Sequence, residues 1–320
     1  MKVLVTGASG YIGSQTCKEL KQSGYTVVAV DRNKVKHPYV DIELTTSYDS
    51  DLVDSAMTDV DTVVHIGATS LVGPSVVDPL PYYSNNVNST IKLLEMCKAH
   101  GVKKFVFASS AATYGNASGI CKETDDVHPC NPYGQSKRIT ELMLADVFKA
   151  YGISSISLRF FNVAGADPDG DFGQEKAATH LIARIMESAI ADRPVQVYGD
   201  DYETPDGTCI RDYVHVKDIA RAIVKSVRRL ESHTVCEIIN LGSGTGNSVF
   251  EIIDQVNKIT GLNTLYEIGP RRAGDPAILC ADINAANNRL DWQPELKLDS
   301  IIATAYNWYK HHEKEKELSA

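Results

Sequence analysis

Paired cysteines are missing from this chain: Cys17, Cys97, Cys121, Cys130, Cys209, Cys236 and Cys280 are scattered, and no two stand in a CxxC spacing. That excludes a zinc ribbon and a disulfide framework, points to reduced thiols in the cytoplasm, and leaves no metal site to expect. Positive charge is also short. Lys and Arg number 32 against 41 Asp and Glu, a formal charge of −9. Neither nucleic acid nor a membrane surface is then an electrostatic partner, and an anionic ligand must be caught by local cations. No apolar run is long enough to span a membrane, and the strand-like KVLVTG begins at the second residue, which predicts no membrane partner and no signal peptide. Internal repeats and low-complexity tracts are absent too. The glycosylation-type triplets at Asn88 and Asn116 are incidental in such a protein.

What the chain has is alternation. Its 320 residues are 43% hydrophobic and 23% charged, ordinary for a globular protein of about two domains. Short β-branched runs (KVLVTG, YTVVAVD, DTVVHIG, KFVFASS, SSISLRF) alternate with amphipathic stretches of helical length. That pattern predicts an α/β fold: a Rossmann-type doubly wound parallel sheet with a smaller C-terminal α/β substrate domain. The longest helices are expected over 80–100 and 132–151, the latter opened by Pro132 at a favoured first-turn position. After Asn162 the texture changes to VAGADPDGDFG and YGDDYETPDGT, rich in Gly, Pro and Asp. HVKDIARAIVKSVRRL and EIINLG then read as a helix and a strand returning to the first sheet. The predicted division is a dinucleotide-binding domain over 1–161 with about 212–241, and a ligand domain over 162–211 and 242–320.

Gly7, Gly10 and Gly13 lie between a strand and a helix, where missing side chains let backbone amides approach a pyrophosphate at the helix N-terminus. Tyr11 and Ile12 open that helix and belong to the same candidate set. The spacing is GxxGxxG, and the glycines gain weight from Asp31 at the tip of the next strand. Asp31 is placed to accept the adenosine ribose hydroxyls and to repel a 2′-phosphate, favouring NAD over NADP, with Arg32 beside it pulling the other way. Asp41 and Ile42 are candidates for clasping the adenine, the plain alternative being an ordinary loop acid.

Tyr133 and Lys137 stand four apart in YGQSK. On one helix they share a face, so the ammonium is expected to favour the ionised phenol. Bringing a phenol down by about three units needs roughly 4 kcal/mol, which one lysine and a cationic nicotinamide supply in a dry site. By itself YxxxK is more often a packed tyrosine with a solvated lysine; the glycine turn reverses that. Ser110 closes the strand KFVFASS at the edge where such sheets bind ligands, with Ser109 its nearest rival.

The runs TGASGYIG, VVHIGA, YYSNNVNST, SSAATYG, NPYGQSK, RFFNVAGA, THLI, TPDGTCIRDYVHV and RRAGDP together resemble the extended short-chain dehydrogenase/reductases, and among them the UDP-glucose 4-epimerases, nearly end to end. The resemblance implies that Tyr133 takes the sugar 4-hydroxyl proton, Lys137 tunes it and holds the nicotinamide ribose, and Ser110 bonds the reacting oxygen. It implies further that Gly67, Asn85 and Ser109 help hold the cofactor. Asn162, His180, Leu181, Arg211, Arg272 and Asp275 are implied to hold the uridine diphosphate and its ribose, a role that suits the planar fork of arginine. Relatives that dehydrate or decarboxylate carry acids after the Ser110 position; here Ala111 and Ala112 follow, and neither moves a proton. RDYVHVKD likewise follows the galactose-type form.

The implied reaction interconverts UDP-glucose and UDP-galactose: bound NAD oxidises C4 and the 4-keto sugar turns over and is reduced on its other face. The implied partners are a UDP-sugar and a second copy of the chain, with helices 80–100 and 132–151 supporting a homodimer. Ser70 replaces a lysine that many such enzymes carry near the diphosphate. Leu279 falls where strict glucose/galactose enzymes have a bulky tyrosine, which leaves room for N-acetylated sugars; 4-epimerisation of UDP-N-acetylglucosamine, UDP-glucuronate or UDP-xylose stands as the alternative. A non-catalytic regulator that binds NAD or nucleotide sugar is the alternative of another class.

Overall fold

The computed structural model describes residues 1–175, 180–272 and 274–319, so Thr179 of THLI and Ala273 of RRAGDP lie outside the described residues. Among these, seven strands form one parallel sheet, in the spatial order Cys236–Leu241, Ser154–Phe160, Lys104–Ser110, Thr62–His65, Lys2–Thr6, Thr26–Asp31, Ile42–Thr45. The expected α/β class and the return of EIINLG to the sheet are both observed.

Alternation along each strand builds the layers, because successive side chains point to opposite faces. Leu4, Val28, Val30, Val63, Phe105 and Phe107 pack on one side with Leu93, Cys97 and Leu144, the last three from helices Ser89–His100 and Pro132–Tyr151. Val3, Val5, Val27, Ala29, Val106, Ile156 and Leu158 pack on the other side with Cys17, Leu20, Ile219 and Ile223, from helices Tyr11–Gln22 and Val216–Ser232. Each such buried side chain contributes roughly 1.5–3 kcal/mol of transfer free energy.

A second sheet holds Gly246–Ser248, Ile210–His215, Ile278–Ala281 and Gly119–Cys121, with Asn162–Ala164 pairing onto Ile210–His215. Helices Leu181–Ile190 and Val249–Thr260 pack with Ile301, Ile302, Ala305 and Tyr309 over a separate core. The capping box of Ser248 and Glu251 starts the Val249–Thr260 helix, satisfying two otherwise unpaired amides.

Two helices position the site. Pro132–Tyr151 begins where the Asn131 side chain accepts from the Gly134 amide at 2.8 Å and ends at Gly152, with φ of 65°. The stretch 80–100 is not one regular helix: Leu80–Tyr82 is α, Tyr83–Asn88 is π and Ser89–His100 is α. The wider π turn presents Asn85 and Asn86 toward the sheet edge. Among the described residues no helix is long and apolar enough to cross a membrane.

Candidate active site at the carboxyl edge of the sheet

Strand order reverses between Lys2–Thr6 and Thr62–His65, and the chain leaves both strands through glycine. Gly7 has φ of 72°, and a Cβ there would stand 2.7 Å from the Gly67 nitrogen. At Gly13 a Cβ would stand 1.9 Å from the Gly7 carbonyl oxygen, so helix and turn meet backbone to backbone. Gly10 begins the helix without any side-chain cap, and the first turn carries no acid. Its amides, at the positive end of the helix, are thus free to face an anion. Asp31 is held beside this turn, its carboxylate accepting from the amides of Ser9 and Asn33, each at 3.0 Å. The cradle and the acid fit NAD: backbone for the pyrophosphate, carboxylate for the ribose.

Asn85 reaches the same edge, accepting from Arg32 at 2.6 Å and donating to Thr69 at 3.0 Å. Behind Gly67 lies a buried relay. The Gly67 amide donates to Thr6 Oγ1 (3.2 Å), which bonds His65 Nδ1 (2.7 Å); His65 Nε2 bonds Thr90 Oγ1 (2.9 Å), and Thr90 donates to the Asn86 carbonyl. Burial pushes His65 down to about 3, with Lys137 adding to the effect, so it serves as a neutral link.

Asp41 and Ile42 stand elsewhere. Ile42 pairs with Val28, and Asp41 accepts from the Val27 amide at 2.7 Å and from Lys21 at 2.7 Å. They are therefore at the amino end of the strand whose carboxyl end bears Asp31, about 13 Å away at the rise of a parallel strand. The expected adenine clasp is corrected: Asp41 ties strand to helix, and the residue beside Asp31 is Thr46, whose amide donates to the Asp31 carbonyl at 2.7 Å. Tyr11 likewise sends its side chain away from the turn, donating to the Gly165 carbonyl at 2.6 Å. Ile12 packs against the core.

Tyr133 is in hydrogen-bonding reach of Ser110. Ser110 also accepts from the Ala112 amide at 3.1 Å, so it is both a cap and a site residue. Lys137 is buried, with Nζ donating to the Ala108 carbonyl at 2.7 Å and lying 5.9 Å from the Tyr133 ring centroid. Burial holds Tyr133 above the ordinary phenol range, Tyr82 adding and Ser110 opposing. Burial also lowers Lys137 to about 7, opposed by Glu141. Within the chain the ammonium is engaged by a carbonyl and desolvation opposes ionisation, so the expected phenolate draws on the positive charge of a nicotinamide as well as on Lys137. Ser109 does not compete with Ser110: its hydroxyl donates to Glu141 at 2.7 Å, toward the helix side of the sheet. Ala111 and Ala112 follow as read.

On the second sheet, the Arg211 guanidinium lies 3.5 Å from Asp275 and donates to the Ile210 carbonyl at 2.8 Å, while its buried Nη2 has no hydrogen-bond partner. Arg272 lies 4.0 Å over the Tyr198 ring. Asn162 pairs with Tyr213 across the strands. His180 precedes the helix that starts at Leu181, and its ring meets Gln174. Leu279 is in register with Arg211 and with Gly119, and packs on Ala111, Tyr114 and Phe161. It therefore spans the distance between the arginine and the residues after Ser110.

The family model for the NAD dependent epimerase/dehydratase family matches residues 3–242. The chain belongs to that family. A curated UDP-glucose 4-epimerase of Halalkalibacterium halodurans is 42% identical, covering 98% of this chain and 96% of its own length; one from Lactobacillus helveticus is 41% identical, covering 98% of both. Among solved structures, UDP-glucose 4-epimerase of Stenotrophomonas maltophila with bound NAD and formylated UDP-arabinopyranose matches with a TM-score of 0.94, 33% identity and coverage of 98% and 99%. The Bifidobacterium longum enzyme in complex with NAD+ and UDP matches with a TM-score of 0.90, 36% identity and coverage of 98% and 99%.

Several residues of this family member's site escaped the sequence reading. Tyr198 lies between two guanidinium groups, with hydrogen bonds from Arg184 and Arg272 that hold its phenol below the usual range. A tyrosine before YGDDY's glycine gave no signal, since its two arginines come from other segments. Lys18 is buried, donating to Asp167 and Asp169 at 2.7 Å and to Asp171 at 2.9 Å. That cluster ties the cofactor helix to the Asp-rich run. Asn86, whose amide bonds Thr69 and Ser136, fastens the π turn to the catalytic helix.

Proposed function

We propose that this chain interconverts UDP-glucose and UDP-galactose by inverting C4, with NAD retained through each cycle. The observation that carries the reading is the meeting of Ser110, Tyr133 and Lys137 at the edge that also carries the Gly7 turn, with alanines where an acid would redirect the chemistry. Bound NAD supplies the oxidant, and then the reductant, at C4.

Tyr133, ionised beside Lys137 and the cationic nicotinamide, takes the 4-hydroxyl proton and returns it to the oxygen of the inverted sugar, so the phenolate is restored over the cycle. Ser110 holds that oxygen and the phenol in line, and the Lys137 ammonium holds the ribose and the local positive charge. Gly7, Gly10, Gly13 and Asp31 seat the dinucleotide, assisted by Gly67 and Asn85. Arg211 and Arg272 grip the diphosphate, and Asp275 the uridine ribose. Asn162, His180 and Leu181 complete the nucleotide end. Strong diphosphate contacts and sparse hexose contacts let the keto sugar turn without leaving. The same proposal divides the chain into 1–161 with about 212–241 for NAD, and 162–211 with 242–320 for the nucleotide sugar.

The test uses purified protein and UDP-galactose with no added cofactor, followed by proton NMR of the anomeric signals. Growth of UDP-glucose toward an equilibrium mixture is the expected result; no product, with or without added NAD, removes the reading and leaves nucleotide-sugar binding. Tyr133→Phe is expected to abolish turnover and keep NAD bound. Leu279, in register with Arg211 and packed on Ala111, supports a second reading in which N-acetylated UDP-hexoses are also accepted. Failure of both N-acetylhexosamine substrates where UDP-galactose reacts removes that. A cytoplasmic homodimer is part of the proposal as well, supported by Leu80, 74% exposed at the start of the 80–100 stretch, and Leu142, 50% exposed on the Pro132–Tyr151 helix; a monomer mass by light scattering overturns it.

A further inference from the structure

Tyr133, Lys137 and Glu141 occupy i, i+4 and i+8 of one helix, and hence one face. Glu141 is a fully buried carboxylate, 0% exposed at its side chain, which a soluble protein tolerates only when it is fully bonded. Its Oε1 accepts from Ser109 at 2.7 Å and from Arg159 Nε at 2.9 Å; its Oε2 accepts from Arg159 Nη2 at 2.8 Å and Arg138 at 3.2 Å. Arg159 comes from the strand Ser154–Phe160, is 1% exposed, and stacks 4.6 Å over Tyr114. Tyr114 in turn donates to Asn240 at 2.8 Å, on the edge strand of the sheet.

We infer that Glu141 is a positioning residue of the reaction: through Ser109 and Arg159 it locks the catalytic helix to the strand end that bears Ser110, and its negative charge keeps Lys137 an ammonium. The inference rests on the proposed roles of Tyr133, Lys137 and Ser110. Around Lys137, its own helix offers Tyr133, Arg138 and Glu141. The strand Lys104–Ser110 offers the Phe107 ring at 4.8 Å and the Ala108 carbonyl. The strand Thr62–His65 offers neutral His65, the strand Ser154–Phe160 offers Arg159, and Tyr82 stands near Tyr133. Of these only Glu141 is negative. It opposes the desolvation that drives Lys137 toward the neutral amine.

Glu141→Gln keeps the shape and removes the charge. The measurement is kcat and KM for UDP-galactose against pH, with the NAD content of each preparation. The expected result is a fall in kcat, KM within about twofold, retained NAD, and an alkaline limb moved down by about one pH unit, a tenfold change in protonation of Lys137. Ser109→Ala, which loosens the strand end but leaves the charge, is expected to lower kcat without moving that limb. Where Glu141→Gln leaves too little folded protein because Arg159 is stranded, the double variant Glu141→Gln/Arg159→Met removes both charges and carries the same test. An alkaline limb at the wild-type pH in the folded variant overturns the charge role, and an unchanged kcat with Ser109→Ala overturns the locking role. A Tyr133→Phe variant that still turns over would instead show the underlying reading at fault.

Discussion

The dinucleotide end of the site is made of backbone and the nucleotide-sugar end is made of side chains. At the first, Gly7, Gly13 and Gly67 are pressed together so closely that a single methyl has no room, and the ligand groups are amides at a helix start. At the second, Tyr198, Arg211 and the loop that carries both Arg272 and Asp275 come from separate segments, and the buried Arg211 Nη2 faces Asp275 at 3.5 Å without a hydrogen bond among the described residues. The difference matches what each end must do over a catalytic cycle. On the proposed reading, a cofactor retained through the cycle suits a rigid mould, whereas a substrate that enters and leaves suits charges that can be satisfied by its phosphates.

The sharpest way to break this contrast is Gly13→Ala. A Cβ 1.9 Å from a carbonyl oxygen forces the turn and helix apart, so loss of bound NAD is expected, with several kcal/mol of destabilisation from overpacking against backbone. Absorbance of the supernatant after denaturing the purified protein reports NAD directly; a full complement of NAD would remove the mould.

Lys18→Met probes the fastening between the two ends. Asp167, fully buried, would keep its charge with only the Asp171 amide and no cation beside it, at a cost of about 3 kcal/mol. A lowered midpoint in urea with little change in KM is expected, and an unchanged midpoint would show the cluster to be ornamental.

Arg211→Met tests the side-chain end by itself. Losing charge-assisted bonds worth about 1.5–3 kcal/mol is expected to raise KM for UDP-galactose by roughly 10- to 100-fold, with NAD content unchanged. Loss of NAD in that variant would mean that the two ends are not separable.

Acid is expected to act most gradually. Burial places His65 at about 3 and His215 at about 4, Lys217 also lowering the latter, both below the unfolded value near 6.5. The folded chain therefore binds fewer protons than the unfolded one between these limits, and stability falls as pH drops below about 6.5. Each histidine contributes at most about 1.4 kcal/mol per pH unit. A thermal midpoint that is flat from pH 7 to pH 5 would contradict the neutral relay behind Gly67.

Much of this was legible in the order of residues. A glycine turn after a β-branched strand, an acid at the next strand's tip, and a tyrosine four before a lysine are local patterns, each confined to one turn or one helix face. The sheet class followed from alternation, and EIINLG rejoined the sheet as its composition indicated. The failures share a cause. Asp41 and Ile42 were expected at the adenine, yet the parallel register of Ile42 with Val28 sends them to the opposite end. Glu141 carried no signal in the sequence, since its partners Arg159 and Ser109 are brought to it by neighbouring strands. Arg184 and Tyr198 were silent for the same reason, and the π turn at Tyr83–Asn88 has no simple periodic signal.

By itself, then, the sequence determined the elements, the glycine turn and the shared helix face of Tyr133 and Lys137, because short-range geometry suffices for each. Only the tertiary structure decided which charges are buried together, where the lysine ammonium is directed, and that burial opposes ionisation of the phenol. Those depend on desolvation and on partners more than a hundred residues away in some cases, such as Lys18 with Asp167 and Tyr114 with Asn240, and electrostatics in a protein interior is set by distance and solvent exclusion, which order along the chain does not specify.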